Sequence, residues 1–505
     1  MLQRIHPHQA LALPLWNAQS SRLIEQAALA TPQRPSLMQR AGHAAARLTC
    51  AIAPHARQAW VLCGPGNNGG DGLEAAHALA QRGLSVWVHW LGNAERCSPD
   101  TQRAWQQARQ GSLHWLEVHD TPTLSADDVV IDALLGLGQR AQSTATASPV
   151  QQLLHSSYGS PAHSLAIDIP TGLDTDHGIW HPNCRPPDTW APSSRHTLSL
   201  VTLKPGLFTG DGRDACGDIW WETLDCDNAL QLHPATAWLN AAPAPTQRPH
   251  NSHKGSFGDV LVIGGAPGMT GAAILAASTA LHHGAGRTLL HLLDTAPPNI
   301  CSTLPDVMQT STSSTHAHLA HATIVCGCGG GTAITPWLAE ALTLTPQLVL
   351  DADALNTLAH QPALRASLQT RRARGQHTIL TPHPLEAARL LGCTTAEVQA
   401  QRLLAAQALA DQLQSTIILK GSGSIIASPG HTPHINPTGN ARLAIGGTGD
   451  VLAGLVAARW RPGTDNHSVA CQAVWEHGAL ADQWPSQQAL TASALAQAQL
   501  GSVEN

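Results

Sequence analysis

Lysine is almost missing from this 505-residue chain: of its 28 basic residues only Lys204, Lys254 and Lys420 are lysines. Each lies beside glycine or proline, in T-L-K-P-G, S-H-K-G and L-K-G-S-G. Lys254 and Lys420 are expected to meet phosphate, for which a compact ammonium on a flexible stem is suited. Net positive charge is missing as well. A formal charge of −6 gives no electrostatic basis for binding nucleic acid or an anionic membrane surface. The 11 cysteines are scattered without a C-x-x-C pair, which fits a reducing compartment and excludes an extracellular disulfide framework. Cys326 and Cys328 form the one close pair, and a C-x-C in an apolar strand reads as packing. No run approaches the roughly 20 apolar residues of a membrane span. The first residues carry prolines and histidines instead of the apolar core of a signal peptide, so a cytoplasmic location is expected.

What is present is a compact composition, 43% hydrophobic and 12% charged, in a chain too long for one ordinary core. There is no repeat with a period of roughly 20–50 residues. Short apolar runs alternate with helical patterns throughout, which indicates an α/β fold with mainly parallel strands. Strands are expected near 60–63, 85–91, 129–132, 165–169 and 198–202, then near 260–263, 288–293, 323–326, 348–350, 379–381 and 416–419. Helices are expected over 73–82, 101–110, 272–283, 384–391, 395–413 and 451–459. The proline-rich stretch 230–249, between the two halves, reads as a linker or a surface crossing.

The richest segment is N-A-R-L-A-I-G-G-T-G-D-V-L-A, Asn440–Ala453. A glycine turn opening onto a helix offers bare amides and the positive end of the helix dipole to an anion. Asp450 at that mouth crowds a phosphate unless it serves as a base on a neighbouring hydroxyl. The segment therefore points to phosphoryl chemistry, against the plainer reading of a tight turn with a capping aspartate. L-K-G-S-G-S, from Leu419 to Ser424, follows a strand and could wrap a diphosphate, although it is not a Walker A loop. His383 sits between two prolines just before a helix with Glu386 in its first turn.

In the first half, strand 60–63 runs into G-P-G-N-N-G-G-D-G, Gly64–Gly72, which is not a G-x-G-x-x-G fingerprint. Asn67, Asn68 and Asp71 add oxygen ligands and amide donors that suit a hard cation or a polar ring. Asp132, Asp168 and Thr171 fall at the carboxyl ends of neighbouring strands, where open α/β sheets place ligands. Each half thus carries its own active-site candidate.

These motifs resemble those of the bifunctional NAD(P)H-hydrate repair enzymes over nearly the whole chain. L-W-N-A-Q-S-S-R-L-I-E, L-M-Q-R-A-G, N-N-G-G-D-G, D-A-L-L-G-L-G, D-I-P-T-G and L-K-P-G-L resemble the NAD(P)H-hydrate epimerase domain. S-H-K-G, G-A-G-R, D-A-D-A-L-N, T-P-H-P-L-E, L-K-G-S-G and G-G-T-G-D-V-L-A-G resemble the ADP-dependent dehydratase domain. The resemblance implies a Rossmann-like three-layer αβα domain over 11–226 and a ribokinase-like α/β domain over 227–505. It implies interconversion of R and S hydrates of NADH and NADPH in the first. In the second it implies dehydration of the S hydrate, with ADP giving AMP and phosphate.

By the same resemblance, Asp450 is the dehydration base, with Ala272, Gly329 and His383 at the hydrate. Lys420, Gly421, Ser422, Gly423, Ser424 and Gly449 would hold the nucleotide, accompanied by Mg2+. In the first half, Asn67, Asn68, Gly69, Gly70 and Asp71 would bind the hydrate. Gly136, Leu137, Gly138, Gln139, Arg140, Ala141 and Gln142 would do so from the facing loop, with Asp168 as acid/base. Asn68, Asp132 and Thr171 would ligate K+. The family also implies a homo-oligomer acting on small molecules, with no nucleic-acid or membrane partner.

Departures from the family pattern are the G-C-G-G-G of Gly327–Gly331 in place of G-P-G-L-G, Thr171 for serine, Leu385 for the glycine of P-H-P-G-E, and Arg442-Leu443 for G-M. They bear on affinity and remove no proposed catalytic group. Two other readings fit part of the pattern: a small-molecule kinase of the ribokinase superfamily with a regulatory N-terminal domain, and a non-catalytic nucleotide-binding protein.

Overall fold

Valine, isoleucine and leucine runs bounded by glycine and aspartate become parallel strands covered on both faces. The computed structural model describes residues 2–30, 35–138, 148–244, 248–300, 303–461 and 463–501. The chain divides into two units, Met1–His6 with Pro14–Thr236, and Pro7–Leu13 with Ala237–Asn505.

The first unit holds β1 (Gln3–Arg4), β2 (Gln58–Cys63), β3 (Ser85–Trp90), β4 (Leu113–Trp115), β5 (Val129–Ala133), β6 (His163–Ile167), β7 (Arg195–Leu200) and β8 (Asp218–Glu222). Its sheet order is β1-β8-β7-β6-β5-β2-β3-β4. Only β1 against β8 is antiparallel. Side-chain alternation sends Val61 and Cys63 into one core with Leu73 and Leu79, and Trp60 and Leu62 into another with Leu153 and Leu154. This is the two-sided burial that all-parallel strands require.

In the second unit lie β9 (Ala237–Leu239), β10 (Asp259–Gly264), β11 (Arg287–Leu292), β12 (Val307–Gln309), β13 (Thr323–Cys326), β14 (Gln347–Leu350), β15 (His377–Leu380), β16 (Thr416–Leu419), β17 (Ile425–Ala427) and β18 (His434–Ile435). They run in the order β12-β11-β10-β13-β14-β15-β16-β17-β18-β9. Pairing is parallel from β12 to β16, and β17 lies antiparallel to both β16 and β18. Leu261 and Ile263 face one core, Val260 and Val262 the other.

Three expectations need correction. The helix expected over 395–413 is two helices, Thr395–Ala400 and Arg402–Leu413, because Gln401 leaves the helical region at φ −142° and ψ 53°. The stretch read as a linker overlaps the helix Asp227–Gln231 and contributes β9, which pairs with β18. The glycine turns are also shorter than read: helices begin already at Asn67 and Thr448. Among the described residues no helix is long and apolar enough to cross a membrane.

Candidate active sites

In the first unit, β2, β5 and β6 deliver their carboxyl ends to a cavity of about 740 Å³. The helix Asn67–Gln81 starts at this cavity after Gly66, so Asn67, Asn68 and Asp71 sit in its first turns rather than in a loop. Its open amides and dipole favour an anionic ligand there. Gly136, Leu137 and Gly138 line the facing wall, where Arg22 Nη2 donates to Leu137 O at 2.7 Å. Gly69 and Gly70 serve packing instead: a Cβ on the first would strike the Gly64 carbonyl, and one on the second the Met38 thioether. Gln139, Arg140, Ala141 and Gln142 lie outside the described residues.

Asp168 follows β6 with φ 72°, a left-handed conformation that a non-glycine residue holds at a cost of about 1–3 kcal/mol. That turn carries its carboxylate to the cavity, within reach of Gly136, where a Cβ would lie 3.1 Å from Asp168 Oδ2. The fully buried Lys204 donates to Asp168 Oδ1, and also to Ser199 Oγ at 3.2 Å and Leu200 O at 2.8 Å. Lys204 thus fixes one carboxylate oxygen from beneath. Two further acids line the cavity. Burial, then the Asp168 charge, pushes Glu25 up to about 7, and the same causes push Asp71 well above the carboxylate range. Two acids that hold their protons toward neutral pH and an ion-paired carboxylate therefore share one cavity, the arrangement acid–base chemistry needs.

Asp132 and Thr171 meet each other. Thr171 Oγ1 donates to Asp132 Oδ1 at 2.7 Å, and Thr171 N donates to Oδ2 at 2.9 Å. They line a separate small cavity of about 30 Å³. Asn68 lines the large one, and neither atom of its buried amide has a partner among the described residues.

In the second unit the site again gathers at strand carboxyl ends. Asp351 follows β14, and its Oδ1 accepts from Lys420 Nζ at 2.9 Å and from Thr381 Oγ1 at 2.7 Å. Asp450 stands in the first turn of the helix Thr448–Arg459, whose N-cap Gly447 takes φ 92°. Ligand atoms of Cys328, Asp351 and Asp450 all lie within 4.8 Å of one another. Burial, then the Asp351 charge, raises Asp450 to about 6, against the lowering effects of the Cys328 hydrogen bond and Lys420. Burial works against the Lys420 ammonium, but Asp351 and Glu386 outweigh it and raise its pKa. A Cβ on Gly449 would sit 3.2 Å from Lys420 Nζ, so this glycine keeps the lysine accessible from the helix mouth.

His383 caps the helix Pro384–Leu391, its Nδ1 accepting from Leu385 N at 3.1 Å and Glu386 N at 3.3 Å. Its proton therefore belongs on Nε2, 3.4 Å from Glu386 Oε1. Burial and Lys420 lower its pKa, while burial raises Glu386 to about 7. Gly421 lies against Arg402, whose buried guanidinium donates to Leu419 O, Lys420 O and Gly423 O at 3.3–3.4 Å and shapes the Lys420–Ser424 turn. Within that turn Ser424 Oγ donates to Gly421 O at 3.2 Å, and Ser422 is exposed. Gly329 has φ 59° and meets Ala272, whose Cβ would be 3.0 Å from an added one. Lys254, expected at phosphate, is exposed at the amino end of β10, the sheet edge opposite Asp450.

Several site residues escaped the sequence reading. Lys204 carried a signal, being one of three lysines. Asp351 had the same strand-end position as Asp132 and Asp168. Cys328 was hidden by its neighbour: both cysteines pack in cores, but Cys328, just past the strand, also meets Asp351 and Asp450.

Carboxylates at strand ends beneath helix N-termini, one set in each unit, define an α/β enzyme with two active-site candidates. The family model for the YjeF-related protein N-terminus matches residues 34–206, and that for NAD(P)H-hydrate dehydratase matches 260–500. The bifunctional NAD(P)H-hydrate repair enzyme of Coxiella burnetii is 32% identical over 458 residues, covering 88% of this chain and 90% of that one. Its Escherichia coli counterpart is 33% identical over 468 residues, covering 88% and 84%. The ADP-dependent (S)-NAD(P)H-hydrate dehydratase of Neisseria meningitidis is 42% identical over 241 residues, covering 46% of this chain and 80% of that one. This chain belongs to the family of bifunctional NAD(P)H-hydrate repair enzymes.

Proposed function

We propose that the chain returns hydrated NADH and NADPH to the reduced cofactors through two sites. The first unit interconverts R and S hydrates. The second dehydrates the S form with ADP, releasing AMP and phosphate. The observation that carries this reading is Asp450 beside Asp351 and Lys420 at an open helix N-terminus.

Hydroxide is a poor leaving group, and a phosphate ester is a good one. Asp450 accepts the proton of the hydrate hydroxyl as its oxygen takes the terminal phosphoryl group of ADP, leaving AMP. The Gly446–Gly449 amides receive the developing negative charge, while Lys420 and Gly449 with the turn to Ser424 hold the nucleotide. The ring nitrogen's electron pair then expels phosphate, and loss of the neighbouring carbon's proton restores the 5,6 double bond. Ala272, Gly329 and His383 bound the hydrate. Asp351 and Asp450 are the residues that would hold Mg2+, which would offset the repulsion between the diphosphate and the two carboxylates.

In the first unit, Asp168 held by Lys204 is the acid/base of the epimerisation, with Glu25 and Asp71 as further acids beside it. Asn67, Asn68 and Asp71, with Gly136–Gly138 facing them, embrace the hydrate. Asn68, Asp132 and Thr171 offer only hard oxygen donors, and the unpartnered Asn68 amide suits K+, which would anchor the substrate's phosphates by its charge. Homo-oligomeric assembly is part of the same reading, and light scattering in solution tests it.

The decisive experiment gives the purified chain a mixture of R and S NADH hydrate with ADP and follows near-ultraviolet absorbance. Recovery of the whole mixture is expected. Recovery stalling near half would remove the epimerase assignment, and a stable phosphorylated product would replace the dehydratase with a kinase.

A further inference from the structure

We propose that His434, His467 and Cys471 form a binding site for a zinc-class transition metal ion, at the sheet edge opposite the Asp450 site. The chain pattern already has ligand spacing. His467 and Cys471 stand four residues apart on the helix Asn466–Asp482, so they share a face one turn apart, and His434 comes from β18 opposite Ile426. One ligand atom from each lies within 4.8 Å of the other two. His467 Nε2 and His434 Nδ1 are 2.8 Å apart.

The surroundings are those of a metal site. His467 Nδ1 meets Ser428 Oγ at 2.9 Å, and Ser428 Oγ meets Thr416 Oγ1 at 2.9 Å. That outer bond fixes the His467 ring and aims its Nε2 at His434 and Cys471, as second-shell partners do for metal-bound histidine. Without a metal the Nε2–Nδ1 contact is a hydrogen bond that shares one proton, and ligation requires the donor ring to carry that proton on its other nitrogen. His431 stacks on His467 with ring centroids 4.9 Å apart and an angle of 15°. Asp465 is the nearby carboxylate, lining one cavity with His431 and His467. A cavity of about 130 Å³ lined by His431, His467, Asp465 and Ser428 adjoins the cluster and leaves room for a fourth ligand.

Nitrogen at about 2.0 Å and sulfur at about 2.3 Å are the distances zinc requires. The two imidazole nitrogens must part slightly and the thiol must close in, side-chain movements that leave the strand and helix in place. Binding breaks the Cys471 S–H bond, forms a metal–sulfur bond and releases that proton to solvent. His2Cys is a borderline donor set that favours zinc over magnesium or calcium.

The test uses the full chain stripped with a chelator and titrated with Co2+, then Zn2+. One Co2+ per chain, with a thiolate-to-cobalt charge-transfer band and release of about one proton, is expected, and Zn2+ then displaces the cobalt without further proton release. C471S loses the band, and H434Q weakens binding by about 10–100-fold or more. C328S keeps the band, which separates this site from the cysteine beside Asp450. A band that survives C471S or vanishes in C328S overturns the assignment. Should C471S fail to fold, alkylation of the unaltered chain decides: Zn2+ must slow labelling of Cys471, and labelling at an unchanged rate overturns the site.

Discussion

At the residue scale, the Asp450 site sets a pH dependence. A base acts only when ionised, and Asp450 with its pKa near 6 faces Asp351, Lys420 and Cys328. Dehydration kcat/KM is therefore expected to fall as pH drops through about 6. C328A removes a hydrogen bond that lowers the Asp450 pKa, so the acid limb should move to higher pH, read from a pH–rate profile. An unmoved limb would show that the thiol does not support the base. D450N should cost about 10²–10⁴-fold in dehydration and spare epimerisation.

Glu25 makes a prediction of the opposite kind, on stability. Its pKa rises from 4.5 in the unfolded chain to about 7 in the folded one. The folded state then binds the proton more tightly, so its advantage is full below about pH 4.5 and is lost as pH climbs to about 7. E25Q should raise the melting temperature at about pH 8 and leave it unchanged near pH 4. Equal effects at both would refute the linkage.

At the scale of elements, both sites are built from a strand end and a helix start. Gly449 isolates what the helix mouth contributes. Alanine favours a helix by about 0.5–1 kcal/mol over glycine, and a Cβ there is 3.2 Å from Lys420 Nζ and 3.9 Å from Asp351 Oδ2. G449A should keep or raise thermal stability while raising the ADP KM, and steady-state kinetics beside a melting curve separate the two. An unchanged KM would place the nucleotide elsewhere.

Elements of this kind are the ones the sequence makes legible. Thr323–Cys326, Thr416–Leu419 and Pro384–Leu391 match their expected bounds, because buried parallel strands read as apolar runs and Pro384 and Gly392 punctuate the helix. Leu113–Trp115 and Val307–Gln309 were not legible, being three-residue edge strands without a run to read. The Lys204–Asp168 pair spans 36 residues, and no local pattern joins two side chains that only the β6–β7 pairing brings together.

At the scale of the whole molecule, each unit carries a complete candidate site with its own acids, cation and helix mouth. The hydrate released by one site needs only to diffuse to another. A mixture of D168N and D450N chains should therefore recover R hydrate, although neither alone does, and absorbance recovery measures it. Failure of the mixture would mean that substrate passes only within one chain.

Because both units belong to one polypeptide, a ribosome makes them in equal numbers, whatever the level of expression. A cell that raises synthesis of this protein clears both hydrates faster but cannot alter their relative standing. For a given supply of the two hydrates, their steady-state ratio is then written into the two sets of catalytic constants, and substitution in the chain itself is what retunes it on the enzyme's side.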